Sequence, residues 1–326
     1  MMPPIRTLLA LTLTGALTGA MAPALAQSFP NKPIRLVVSY PAGGGVDFMA
    51  RVMVPSLAQR LGQPVIVENR SGAGGGVGTA FVAKAPADGY TVLVGSGPSI
   101  TMNPHLQPVP YDPFKDLIGL VKAVTVPTVI TVAGDSPYKS LKELLDAARA
   151  QPGRLSYGTP GNGSNMHIEL EMLKERAGVD FQHVPYKGAP PIIADTMGGQ
   201  ITVGAPGLPP TVGNIRAGKL RLLAVWGTRR ASIFPDVPTV KEALGGTLDP
   251  LPTWYGYMLP GGTPPAVVAR LEAAFVETLA EPDVVKRLAD SGAEVVAETT
   301  TKFDAANRAE SATFAALFKK LNIKAE

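Results

Sequence analysis

The sequence contains no cysteine. That absence excludes disulfides, thiolate metal sites and a lipid-modified cysteine anchor. Histidine is also scarce. His105, His167 and His183 are the three, and no two have metal-ligand spacing; His167 and Glu171, four apart on a helix face, read as a hydrogen-bonded pair. No serine has the G-x-S-x-G context of a nucleophile elbow, so catalysis has no candidate nucleophile. Triads are recognised by geometry rather than spacing, which keeps a secreted α/β hydrolase as a rival reading. Nucleotide signatures fail as well. Gly43 and Gly45 lead to Phe48, Gly72 and Gly74 to Val77, and Gly161 and Gly163 to Met166, none completing G-x-G-x-x-G. Gly213 to Lys219 imitates a phosphate loop but has Leu220 where Ser or Thr belongs. The net charge of +4 is scattered, with Arg229-Arg230 and Lys319-Lys320 its densest runs, so no nucleic-acid footprint is expected.

No apolar run reaches the ~20 continuous residues that span a bilayer. The first residues have a different pattern: Arg6, an apolar segment from Thr7 to Ala22, then Ala24-Leu25-Ala26. A basic start, a short apolar stretch and an A-x-A site describe a secretory signal peptide. Cleavage after Ala26 is expected, leaving a mature chain of about 300 residues that begins at Gln27 and lies free in a periplasm. That length allows two domains. Glycine (35) and proline (32) make about a fifth of the chain, below the roughly 25–30% of low-complexity sequences, and mark turns between many short elements.

Ile34 to Leu61 organises the rest. Leu36-Val37-Val38 is a buried-strand run, Pro41-Ala42-Gly43-Gly44-Gly45 a turn, and Ala50, Met53, Leu57 and Leu61 recur at helical spacing. The first N–H groups of a helix have no internal partners and carry the positive end of its dipole, while glycines let a ligand approach the backbone. Such a turn holds an anion without a charged side chain. A second unit lies at Leu155 to Ala177, with Met166, Leu170 and Leu173 as its stripe. The expectation is that the two turns face each other across a cleft and hold a small carboxylate.

Strand and helix alternate elsewhere. Val65 to Val67, Thr91 to Val94, Ile201 to Val203 and Leu220 to Val225 read as strands; Thr79 to Ala85, Ser140 to Ala150 and Pro191 to Met197 as helices. Such alternation predicts parallel α/β sheets with ligands at the carboxyl ends of the strands. Pro55 predicts a bend or a late start in the first helix. Val121 to Val132, broken by Pro127, predicts a strand that leaves one sheet for another, and Trp254 to Leu259 a return. The tail predicts three helices, with Phe303, Phe314, Leu317 and Leu321 lining the last. Several candidates have plain structural readings: Asp47, Ser164 and Asn165 as helix caps, Tyr186 and Trp254 as core aromatics, Arg70 as a partner of Glu68.

The stretches FPNKPIRLVV, PAGGGVDFMAR, LGQPVIVENRSGAGGGVG, ADGYTVL, PYDPFKDL, GRLSYGTPGNGSNMHIE, HVPYKG, FPDVPTVKEA and WYGYMLPGGTP run through most of the mature chain. In that order they resemble the Bug family of periplasmic solute receptors, the extracytoplasmic subunit of tripartite tricarboxylate transporters. The resemblance implies a type II-like two-lobed binding protein, each lobe a mixed sheet flanked by helices, with two crossing strands as hinge. It implies capture of a small carboxylate, whether an organic acid, a dicarboxylate or an amino or aromatic acid, delivery to an integral membrane permease, and no chemistry, cofactor or metal. A receptor reporting to a membrane sensor kinase is the alternative readout. The implied site comprises Tyr40, Pro41, Ala42, Gly43, Gly44 and Asp47 at the first turn, with Ser96; Thr159, Gly161, Asn162, Gly163, Ser164 and His167 at the second; and Tyr186, Lys187, Gly204 and Ala205. Ser39-Tyr40 departs from a Pro-aromatic pair frequent in the family. Thr202 to Pro206 lacks the family's common acidic residue, which favours a plain carboxylate over an amino acid. The expected division is residues 27–127 with 250–326 in lobe one and 128–249 in lobe two, the protein being a monomer.

Overall fold

The computed structural model describes residues 29–246, 248–251 and 253–321; the expected signal peptide lies outside the described residues. In chain order the strands are β1 (Ile34–Val38), β2 (Val65–Asn69), β3 (Thr91–Ser96), β4 (Leu117–Thr125), β5 (Thr128–Ala133), β6 (Ser156–Thr159), β7 (Gln182–Pro185), β8 (Val203–Gly204), β9 (Leu220–Trp226), β10 (Trp254–Pro260) and β11 (Glu294–Thr299). The helices are α1 (Gly45–Leu61), α2 (Gly76–Ala83), α3 (Asn103–Leu106), α4 (Leu141–Ala150), α5 (Asn165–Ala177), α6 (Ala189–Met197), α7 (Val212–Arg216), α8 (Val240–Leu244), α9 (Pro265–Leu279), α10 (Pro282–Asp290) and α11 (Thr300–Leu321).

Two mixed sheets result, the two-lobed α/β architecture that the sequence implies. One has the order β11-β4-β10-β3-β1-β2, the other β7-β6-β8-β5-β9. Within the first, β1 runs parallel to β2 and β3, because each is followed by a helix that carries the chain back across the sheet. Both faces are then covered, so β3 reads TVLVGS with every residue buried. Its core joins Leu36, Val38, Met53 and Leu57 to Tyr257, Phe275 and Leu288. The second sheet packs Tyr157, Leu170 and Leu173 with Leu144, Leu145 and Trp226.

The chain passes from the first sheet to the second between β4 and β5, at Val126-Pro127, and returns just before β10. The passages lie side by side, since the Val126 amide donates to the Thr253 carbonyl over 3.0 Å. Glu169 of α5 is buried beneath them and accepts a hydrogen bond from the Leu251 amide over 3.1 Å.

Several local expectations are corrected. α1 starts at Gly45, ten residues before Pro55, so the proline causes no late start. Pro55 and Arg51 are both exposed, and water can satisfy the Arg51 carbonyl that the proline leaves without its donor. The tail is not wholly helical: Glu294–Thr299 forms β11 on the edge of the first sheet, pairing with β4 across a register shift. Its half-exposed alternation lacked the apolar run that marked the central strands. The short strand expected at Ile201 to Val203 starts two residues later and spans only Val203–Gly204. The Leu321 side chain lies outside the described residues.

Candidate functional site

The two glycine turns are built alike. After β1 the chain turns through Pro41 to Gly44, with Gly43 at φ +79°, and α1 begins on an N-cap glycine that provides no side-chain cap. The Gly44 amide donates to the Pro41 carbonyl, and the Gly43 amide donates to Oδ2 of Asp47 over 3.0 Å. After β6 the turn runs through Pro160 to Ser164, with Gly163 at φ +70°. There the Ser164 amide donates to the Gly161 carbonyl, and the Gly163 amide donates to Nδ1 of His167 over 3.1 Å. Ser164 Oγ caps α5 by accepting from the His167 amide. In both turns the third helical residue thus secures the left-handed glycine ahead of the cap, which leaves the first helical amides to face outward.

They face the same cavity. An inner chamber of about 50 Å³ is lined by Gly44, Gly45 and Val46 of the first turn and by Ser164, Asn165 and Met166 of the second. It adjoins an outer chamber of about 290 Å³, which shares Tyr40, Pro41, Gly74, Asn103, Gly161 and Asn162 with it and adds Tyr186 and Lys187. A third helix beginning, Gly188-Ala189 at α6, also lines the inner chamber. Contacts across the seam are close: a Cβ on Gly188 would meet Pro41 at 2.8 Å.

Of the residues implied by the sequence, Tyr40, Pro41, Gly44, Ser96, Gly161, Asn162, Gly163, Ser164, Tyr186 and Lys187 line one chamber or both. Ala42, Gly43, Asp47, Thr159, His167, Gly204 and Ala205 line neither chamber: Ala42 and Gly43 are exposed, Asp47, Thr159, Gly204 and Ala205 are buried, and His167 is half-buried. Asp47 is buried and holds Gly43, Arg51 and Asn69 at once. Burial alone would raise its pKa; the hydrogen bonds from Arg51, Gly43 and Asn69 outweigh it and hold the carboxyl below the ordinary range. His167 stacks on His183 with ring centroids 4.0 Å apart, and His183 shares a 2.6 Å hydrogen bond with Thr159 Oγ1. Burial first, and then the charge His167 would carry, depress the His183 pKa to about 3. Tyr40 donates to the Gly74 carbonyl and accepts from Ser96 Oγ; burial pushes its hydroxyl up to about 12, so it stays protonated.

Sequence reasoning missed Asn103, Thr253, Tyr255, Gly207 and the Gly188-Ala189 helix start. Gly207 and Tyr255 had no signal of their own, because their closeness arises from the strand order. Asn103 anchors the Gly72–Gly76 run by donating to the Ala73 carbonyl over 3.0 Å; that run fails a nucleotide signature and enters the sequence reading otherwise only as part of the family resemblance. The plain readings hold for two others. Arg70 pairs with Glu68 and lies over Phe81, and Trp254 is a buried aromatic bound to Glu310. Among the described residues no cluster suits a metal ion.

Residues 49–323 match the family described as the tripartite tricarboxylate transporter family receptor. The chain belongs to this family. It is 36% identical to the protein BugT of Bordetella pertussis, over 87% of each chain. Among solved structures it is similar to Rpa4515 of R. palustris with adipate, at 30% identity and a TM-score of 0.87, over 91% of this chain and 99% of that one. It is also similar to MatC of Rhodopseudomonas palustris with bound malate, at 29% identity and a TM-score of 0.82, over 88% and 99%. Members of the family are solute receptors and not enzymes.

Proposed function

We propose that this receptor captures a small organic acid in the periplasm and delivers it to an integral membrane permease. One observation carries the reading: the uncapped beginning of α1 and the beginning of α5 line a single cavity. Their amides and dipoles offer positive potential there. The solved relatives carrying adipate and malate support the same class of ligand. Water bridging the amides to the carboxylate completes the contact. We further assign lobe one to residues 27–127 and 250–326, lobe two to 128–249, the hinge to the paired passages at Val126-Pro127 and Thr253, and the working form to a monomer. In this reading Asp47, His167, Thr159, Gly43 and Ala42 shape the two turns, and Gly204-Ala205 back them. No helix among the described residues is long and apolar enough to cross a membrane, and the start through Ala26 acts as a cleaved export signal.

A thermal-shift screen of carboxylates against neutral sugars tests the ligand class. Ligand at ~100 times its Kd adds ~2.7 kcal/mol, a midpoint rise of roughly 4 °C or more for a chain this long. Sugars that stabilise while no carboxylate does would defeat the proposal. Gly44→Val places a side chain where the backbone meets the ligand, and a folded variant with unchanged affinity would clear that turn. Mass determination of the exported protein checks the start at Gln27.

A further inference from the structure

The two chambers together carry a single charged side chain. Among the described residues that line them there is no Asp, Glu, Arg or His; the one ion is the ammonium of Lys187. Two carboxylates behind the wall are engaged, Asp47 by Gly43, Arg51 and Asn69 and Asp195 by the Tyr186 hydroxyl. Lys187 itself is exposed, lines the outer chamber and takes part in none of the protein's salt bridges among the described residues.

Its placement is fixed by its neighbours rather than by its own stem. Tyr186 before it is held by a hydrogen bond from its hydroxyl to Asp195 Oδ2 and by its amide on the Thr159 carbonyl. Gly188 after it has φ +122° and packs where a Cβ would strike Pro41 of the opposite lobe. Lys187 therefore belongs to the second sheet's side but lines the same chamber as Tyr40, Asn103 and Gln107 of the first.

We infer that Lys187 selects a ligand with two carboxylates, one on the helix beginnings of the inner chamber and one beside its ammonium, and that ligands bearing an ammonium of their own are rejected. This rests on the carboxylate reading of the inner chamber. A second carboxylate finds a cation in a partly enclosed space, where screening is weaker than at an open surface. An amino group finds no counter-charge and faces a like charge at the mouth. The inner chamber, whose polar groups are amides and hydroxyls, gives neither discrimination.

The test is calorimetry on the full-length mature protein with three matched sets: succinate, butanoate and aspartate; glutarate, pentanoate and glutamate; adipate, hexanoate and 2-aminoadipate. In at least one set the dicarboxylate is expected to bind at least fivefold more tightly than either companion. Lys187→Met should narrow the gap between dicarboxylate and monocarboxylate to under twofold, while Lys187→Arg keeps most of it. The size follows from a single partly exposed ion pair, about 1 kcal/mol or fivefold in Kd. Monocarboxylates or amino acids binding as tightly as dicarboxylates in every set would overturn the inference and leave the carboxylate reading standing. An equal loss for both acids in Lys187→Met would also overturn it. If no acid in any set binds, both readings fall.

Discussion

The amide of Gly163 donates to Nδ1 of His167, four residues ahead, over 3.1 Å. Asp47 does the same for Gly43 in the other lobe, but with an anion. The lobe-two acceptor is a neutral imidazole nitrogen, and a protonated ring could not accept. His183, whose own pKa is held down to about 3, stacks against that ring with centroids 4.0 Å apart.

Replacing His167 by Phe keeps a ring on the stack and removes the acceptor. The expected loss is one hydrogen bond, about 1 kcal/mol or fivefold in carboxylate affinity, read by calorimetry at neutral pH. Unchanged affinity would show that the bond does not prepare the turn for ligand.

Asp47 and Arg51 form an ion pair whose two ends differ in burial, with side-chain exposures of 4% and 55%. Asp47→Ala removes the acceptor of the Gly43 amide and one of the two acceptors of Asn69 Nδ2, costing roughly 1–3 kcal/mol. Arg51→Ala loses a half-exposed pairing worth less than about 1 kcal/mol. Thermal melts should rank the two variants in that order, and the reverse ranking would contradict the geometry.

Half-buried His183 and fully buried Glu169 set opposite flanks of the stability profile. His183 has a pKa depressed from 6.5 to about 3, so the unfolded chain binds more protons between those values and stability falls as pH drops below about 6.5. Glu169 is raised from 4.5 to about 8, chiefly by burial against smaller opposing effects of Thr128 and the Leu251 amide. Its folded state favours the proton, so stability falls as pH rises from about 4.5 through 8. Glu169→Gln should therefore melt several degrees above the parent at pH 9 and near it at pH 5. His183→Phe should flatten the slope between pH 6.5 and 4. A Glu169→Gln advantage independent of pH would rule out titration as its cause.

Tyr255 stands between the lobes. A Cβ on Gly207 would lie 2.9 Å from its hydroxyl oxygen, and one on Gly45 2.7 Å. Gly207→Ala should wedge the second lobe away, since overpacking of this kind costs roughly 1–3 kcal/mol. Affinity should drop about tenfold, and small-angle scattering with saturating ligand should give a larger radius of gyration than the parent. Equal radii would mean that the contact yields without opening.

What the sequence made legible was local. Leu36 to Leu61 announced strand, turn and helix through periodicity, and the second unit did so again at Leu155 to Ala177. The chemistry of backbone amides followed without knowledge of the fold. What stayed hidden depended on the partners that topology supplies. Tyr255 and Gly207 belong to segments almost 50 residues apart and meet because β10 inserts between β3 and β4. The resemblance implies ligand contacts at Asp47 and His167, whereas they stand one layer behind, each pinning a glycine. Spacing places a residue near a turn, but does not say whether its side chain turns toward the cavity or away from it.

A grip made from main-chain amides has an evolutionary corollary. Every residue except proline keeps its N–H whatever its side chain becomes, so substitutions around the cavity can change the preferred guest while the hold on its charged end persists. Descendants of one such ancestor could diversify their diets through wall residues alone, and a laboratory library randomised at Gln107, Met166, Lys187 and Thr253 should yield altered preference far more often than lost retention.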